Sequence, residues 1–321
     1  MNEISIDGVD VIVRFHNPAY FDELGAAVMS LIGQSWRPLR VLLVTQRFNS
    51  DQLRELDSKL SVFRNIDPSI SLDLLPYNRD EGLQDARSAV LNKGIAHAKG
   101  RYLAVLDYDD VLYPDAYAIL VHELQASASA VAFGGIALKC IATSHAVPMG
   151  IAFAKLGRPA GSGILDTFRA PFCPFHGMLI DRSRVAPEDL RIDESLPVFE
   201  DYELHLRLGT RYPFSYRALS HVIGEYRYRD DGSNTVPLRT DIDAQKQKLW
   251  NFYSREMERR RRQLIISPDI QARLGIDPMI PDLTIRGLLD LIDRGDWTPS
   301  ADTDSTLLPR VPAYSSALVR I

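Results

Sequence analysis

Through the first hundred positions, blocks of apolar and β-branched residues alternate with segments whose apolar positions recur every three or four residues. Residues 9–15 (VDVIVRF) predict a first strand, 39–45 a second, 70–75 a third and 102–106 a fourth. Between them, residues 19–32 carry Leu24, Val28, Leu31 and Ile32 on one helical face. A second helix begins after Ser50 with Leu53, Leu56 and Leu60 in step, and a third covers roughly 84–99. Strands that are apolar on both faces and separated by amphipathic helices predict a mostly parallel sheet covered by helices on both sides.

Farther along, a helix over 115–124 precedes a strand of small residues over 130–138. Residues 146–175 are rich in Gly, Pro and Ala and are expected to form loops around a cleft. A strand at 178–181 and a turn at Pro187 follow, and the acidic segment 191–207 (RIDESLPVFEDYELHLR) enters a helix. From Thr240 the composition changes to a long polar helix, 242–264, ending in REMERRRRQ. Two weaker helices and a Pro-rich tail at 308–321 complete the chain. The expected organisation is a Rossmann-like α/β domain in two halves, residues 1–110 and 111–239, with a helical C-terminal extension at 240–321.

Composition narrows the partners. The chain has 321 residues, an ordinary apolar fraction of 45% and a net charge of −5, so no global basic field points to nucleic acid. Cys140 and Cys173 give neither metal-binding spacing nor a disulfide framework, which fits a reducing compartment. No signal peptide is visible, and no apolar run approaches the ~20 residues needed to span a bilayer. A cytoplasmic location is the expectation, with peripheral contact at a membrane as a variant of it.

The stretch 101–114, RYLAVLDYDDVLYP, holds the strongest chemical signal. An apolar strand runs into Asp107, Asp109 and Asp110, and the carboxyl ends of parallel strands are where ligands bind in such sheets. Carboxylates packed this closely repel one another unless a cation or hydrogen-bond donors neutralise them. One reading is a divalent cation, magnesium or manganese, held for a phosphate-bearing substrate. The other is an acidic turn in which Asp110 or Asp115 starts the next helix near Pro114. Neither G-x-G-x-x-G nor G-x-x-x-x-G-K-[ST] is present, which disfavours dinucleotide and P-loop readings.

Taken in order, the motifs resemble those of family-2 glycosyltransferases with the GT-A fold, over roughly residues 9–235. The first strand ends Arg14-Phe15-His16-Asn17, and the middle block runs from Arg87 through Leu91-Asn92 to Gly94-Ile95, Ala98 and Gly100. Asp107-Tyr108-Asp109 matches the family's D-x-D, and Glu200-Asp201 matches its later acidic pair. The resemblance implies a nucleoside-diphosphate sugar as donor, most simply a UDP-sugar, and a saccharide or lipid-linked hydroxyl acceptor. It implies Mn2+ or Mg2+ on Asp109, with Asp107 at the ribose or the metal, and Asp201 as general base in an inverting transfer, with Glu200 as its alternate. Phe15, Asn17, Gln46, Arg87 and Asn92 would line the nucleotide site, and Asn17 is in addition expected to cap the turn after the first strand.

Two departures from the family stand out. The second strand ends Thr45-Gln46-Arg47 instead of in acids, so base selectivity is open, although an amide can both donate to and accept from a base edge. Arginine stands in Tyr226-Arg227-Tyr228-Arg229 where many relatives carry a histidine, so Arg227 or Arg229 could grip the diphosphate with its fork. His176 and His221 are weaker candidates for metal, diphosphate or acceptor. The loop 171–177 (PFCPFHG) is either a wall for the acceptor or core packing. The run Arg259 to Arg262 reads as a solvated helix end or a weak contact with anionic lipid, and helix 242–264 as a possible homodimer contact. A sugar nucleotidyltransferase and a non-catalytic sugar-nucleotide-binding module are the competing functions.

Overall fold

Runs of valine, isoleucine and leucine become parallel strands here because helices cover both faces of the sheet, leaving little solvent side except at its edge. The computed structural model of the chain describes residues 5–78, 86–142, 149–156, 163–230, 234 and 244–298. Its first part runs β1 (Ser5–Phe15), α1 (Phe21–Ile32), β2 (Leu39–Gln46), α2 (Ser50–Ile66), β3 (Ile70–Tyr77), α3 (Arg87–His97) and β4 (Gly100–Asp107). These are the seven elements the periodicity predicts, each within a few residues of its expected bounds. Alternate residues of β1 serve opposite faces: Val11, Val13 and Phe15 join the core under α1 and α2, while Ile12 joins the core under α3. Gly94 lets α3 approach closely, since a Cβ there would stand 2.6 Å from Ile12 Cγ2.

Then follow β5 (Val111–Leu112), α4 (Ala116–Ala126), β6 (Val131–Phe133), β7 (Gly135–Ala142), β8 (Met149–Leu156), α5 (Ile164–Arg169) and β9 (Met178–Asp181). The chain continues with α6 (Glu200–Gly209), β10 (Phe214–Ser215), β11 (Val222–Arg229), α7 (Ala244–Arg261), α8 (Pro268–Arg273) and α9 (Ile285–Arg294). The main sheet has the order β10-β6-β9-β4-β1-β2-β3, with β9 antiparallel to both neighbours and the other pairs parallel. A smaller sheet has the order β5-β11-β7-β8.

Two expectations change. The strand predicted over 130–138 is two strands in different sheets, separated at Gly134. A Cβ at Gly134 would lie 2.4 Å from Ile223 Cδ1, so glycine is what lets the chain pass between the sheets. The region 146–175 is not all loop: it contains β8, which pairs antiparallel with β7, and the short helix α5. Its small residues conceal a strand that is defined only by its partner.

The C-terminal helices are tied to the domain. Met257, Ile270, Ile285, Leu288 and Leu289 share a core with Leu165 and Phe168 of α5 and with Tyr202 and Leu206 of α6. The arginine run divides: Arg259 and Arg262 are exposed, as a solvated helix end would be, whereas Arg260 and Arg261 are engaged by other parts of the protein. Arg260 pairs with Asp193 and Glu256, and Arg261 donates to the Tyr202 hydroxyl at 2.6 Å and the Arg169 carbonyl at 2.7 Å. Arg261→Ala would remove both of these bonds under α7, so we expect it to lower stability by about 1–3 kcal/mol. An unchanged urea midpoint would show that the arginine run does not anchor the extension. No helix among the described residues is long and apolar enough to cross a membrane. The Pro-rich tail at 308–321 lies outside the described residues.

Candidate active site

Parallel pairing brings the carboxyl ends of β1, β2 and β4 to one edge of the main sheet, and the site forms there. Arg14, Phe15 and His16 at the end of β1, Gln46 and Arg47 at the end of β2, and Asp107 to Asp110 after β4 line a cavity of about 360 Å³. Arg87 and Val90 of α3, Tyr226 and Arg227 of β11, and Asn234 complete it. A second cavity of about 130 Å³ adjoins it, sharing Arg14, Arg87, Asp107 and Tyr226 as walls. Glu200 and Asp201 open into the second cavity, beside Pro171, Cys173, Pro174, Phe175, Val198, Phe199 and Trp250. The two acidic motifs therefore face one cleft.

Register explains how they are joined. Arg14 on β1 is the direct lateral partner of Asp107 on β4. Its Nε and Nη2 take the two oxygens of Asp107, and its Nη1 donates to Glu200 Oε1 at 2.9 Å. Burial opposes the charged form of Asp107, but Arg14 outweighs it and holds that carboxyl below its ordinary range. Asp109 goes the other way: burial first, then the charges of Asp110 and Asp107, push it well above the ordinary range. Asp110 is buried and tied down, accepting from the Arg227 backbone N–H at 2.8 Å. Tyr108 stacks on Tyr20 and meets Phe15 edge-on.

The acidic pair opens α6. Its N-cap is Phe199 in the left-handed region, φ 65° and ψ 17°, where a bulky residue is strained. The Phe199 ring lies 4.2 Å, centroid to centroid, from that of Trp250 on α7, so the C-terminal helix backs the turn that presents the carboxylates. Burial, and after it the charge of Glu200, pushes the Asp201 carboxyl up to about 7. Downstream, Glu203 and Arg207 form the i,i+4 pair their spacing predicts. His205 does not meet Asp201: its Nε2 lies 3.2 Å from Met178 Sδ among aromatic rings, and burial pushes it down to about 3, leaving it neutral.

The remaining candidates divide. Phe15, Gln46, Arg87 and Arg227 reach the first cavity. Asn17 does not: its side chain accepts from the Ala19 N–H and caps the turn after β1. Asn92 faces the opposite way, with its amide on the Ile192 backbone and Glu194. Arg229 stacks over Tyr20 and pairs with Glu23, lining neither cavity. His221 sits exposed in a turn beside Ser220. His176 is buried against Tyr226 and stands 3.1 Å from Asp110 Oδ2, with its ring not aligned for a hydrogen bond. Residues given no role from the sequence also line the cleft, among them Arg14, Arg47 and Trp250. For Arg14 the available signal was a charge inside an apolar strand, a position that requires a partner.

No three His, Cys, Asp or Glu side chains converge on a point among the described residues, so a cage built wholly of protein ligands is not formed there. A hard cation held by one carboxylate, completing its shell with waters and phosphate oxygens, does fit Asp109, whose burial among like charges favours neutralisation.

A sequence model of glycosyl transferase family 2 matches residues 10–185, more than half of the chain, and the chain belongs to that family. The fold agrees with solved structures of TarS from S. aureus. The full TarS structure superposes with a TM-score of 0.50 at 14% identity, covering 90% of this chain and 53% of TarS. TarS 1–349 in complex with UDP-GlcNAc gives 0.51 at 14% identity, covering 84% of this chain and 76% of that one. Another structure of TarS 1–349 is covered over 60% of its length. At this identity the likeness concerns the GT-A fold alone. No curated protein matches the chain in sequence.

Proposed function

We propose that this chain transfers a sugar from a nucleoside diphosphate to a hydroxyl acceptor, with inversion at the anomeric carbon. The observation that carries the reading is that Asp109 and Asp201, far apart in sequence, line two adjoining cavities with shared walls. The first cavity suits the donor: arginines 47, 87 and 227 line it, and guanidinium forks match phosphate oxygens. The UDP-GlcNAc complex of TarS supports a UDP-sugar as the first donor to try. Gln46 is the group suited to read the base edge.

Asp109, by its burial among like charges, would hold Mn2+ or Mg2+. When bound, such a cation supplies positive charge to the diphosphate leaving group. Asp201 takes the proton of the acceptor hydroxyl as its oxygen attacks the anomeric carbon, while the bond to the diphosphate breaks with its electron pair on the leaving oxygen. A carboxyl titrating near 7 is suited to that exchange at neutral pH. The second cavity fits the acceptor. Trp250 and Phe199 offer apolar faces for the C–H side of a saccharide, free or lipid-linked.

Release of nucleoside diphosphate, measured across a panel of sugar nucleotides with manganese, tests the reading. The expected result is metal-dependent release from at least one UDP-sugar, accelerated by saccharide acceptors. Diphosphate binding in calorimetry without turnover of any donor would instead mark a non-catalytic module. Metal-independent binding of a nucleoside triphosphate would mark a nucleotidyltransferase.

A further inference from the structure

Arg14 touches both acidic motifs. It lies at the cleft end of β1, half-buried, and its lateral register partner is Asp107. Three of its nitrogens are committed: Nε and Nη2 to the two oxygens of Asp107, and Nη1 to Glu200 Oε1 at 2.9 Å. The Glu200 side chain is itself only 6% exposed, and its other close cation, Arg87, stands at 3.9 Å. Asp107 reaches Arg14 from the sheet, and Glu200 reaches it from the first turn of α6. The guanidinium is therefore a rigid three-point link between the sheet edge and the helix that carries Asp201.

We propose that Arg14 is a positioning residue that fixes α6, and hence Asp201, against the donor cavity. Glu200 serves as the helix's anchor on that link instead of as a base. This rests on the transferase reading above. The consequence for the acids is a division of labour. Asp107 and Glu200 are held by arginine, which leaves Asp109 for a cation and Asp201 for the proton. Strain at Phe199, directly before Glu200, makes such a tether useful: a turn that starts in the left-handed region has a lower-energy alternative, and the Arg14–Glu200 contact opposes the relaxation. A lysine keeps the charge but is a single point on a flexible stem. It cannot hold two oxygens of one carboxylate and one of another in fixed geometry.

The experiment compares wild type, Arg14→Lys, Glu200→Gln and the double variant, using donor turnover together with calorimetry of the nucleoside diphosphate. Arg14→Lys is expected to lower kcat by about 50-fold while the diphosphate Kd stays within about threefold, because the charge is kept and the geometry lost. Glu200→Gln is expected to lower kcat by about 30-fold, and the double variant to be little worse than either single one, since both cut the same link. A diphosphate affinity that falls in step with turnover would make Arg14 a phosphate ligand and overturn the proposal. Additive losses or a wild-type rate in Arg14→Lys would overturn it too. If Arg14→Lys does not fold, Glu200→Gln decides alone, and a wild-type kcat there refutes the tether. Absence of turnover by the wild-type protein with every donor removes the transferase reading and this role with it. Turnover by the wild type with no loss in the variants removes only the role of Arg14.

Discussion

Replacing Asp201 by asparagine is expected to lower kcat by about 10³-fold while leaving nucleoside-diphosphate affinity within about threefold. Asparagine keeps the shape and the acceptor that receives the Tyr202 backbone N–H at 2.7 Å, so only the proton-accepting capacity is lost. In the wild type the rate should climb with pH and level off above about 7, because the base must be ionised and its carboxyl is raised to about 7 by burial and Glu200. Stability should show the opposite trend. A carboxyl whose folded value lies above the ordinary 3.8 holds its proton more tightly in the folded state than in the unfolded one. That contribution is fully present at low pH and disappears as the pH rises through about 7. Asp201→Asn, which cannot ionise, is therefore expected to be more stable than wild type at pH 8, by at most about 4 kcal/mol, and little changed at pH 4. Loss of turnover combined with a gain in stability is the signature of a residue kept for chemistry. Undiminished turnover in the variant, or a flat rate profile between pH 5 and 9, would show that another group takes the proton.

Local pattern carried the first four strands because each is a short, mainly apolar run bounded by amphipathic helices, even β3, which shows Ser71 and Asp73 to solvent at the sheet edge. It did not carry β8 or the break between β6 and β7. Both depend on contacts made after the chain folds back, the antiparallel pairing with β7 in one case and the close approach of Ile223 to Gly134 in the other. The site divides along the same line. Asp107 and Asp109 were legible because strand-end acids cluster within a few residues. Asn92 and Arg229 matched motif positions, but nothing local says which way a side chain turns, and each is held by groups outside the cleft, whereas Asn17 takes the capping role that an Asn before Pro18 favours. Arg14 was visible as a charge in an apolar strand but had no role, since its partners lie 93 and 186 residues away. Trp250 was read as part of a polar helix, and only the packing of α7 against Phe199 brings it to the cleft.

Asp109→Ala is expected to abolish transfer and, unlike Asp201→Asn, to weaken nucleotide binding as well. Two arguments set the magnitude. Asp109 borders the donor cavity with Asp107 and Asp110 close by, and of these three Asp107 is paired by Arg14 while Asp110 is buried on the Arg227 backbone. Burial and the charges of Asp110 and Asp107 act on Asp109 together, so its carboxylate is the group most in need of a counter-cation. A diphosphate brought to the same cavity adds further negative charge. Diphosphate and carboxylate would then repel one another unless a cation lay between them, so nucleotide affinity is expected to depend on manganese. In the wild type, manganese should tighten binding of the nucleoside diphosphate by at least about tenfold, and a chelator should stop turnover until the metal is restored. In Asp109→Ala the manganese effect should vanish, leaving only the weaker binding supported by the cavity's arginines. Equal affinity with and without manganese in the wild-type protein would remove Asp109 from the metal role and leave the arginines as sole counter-charge to the diphosphate.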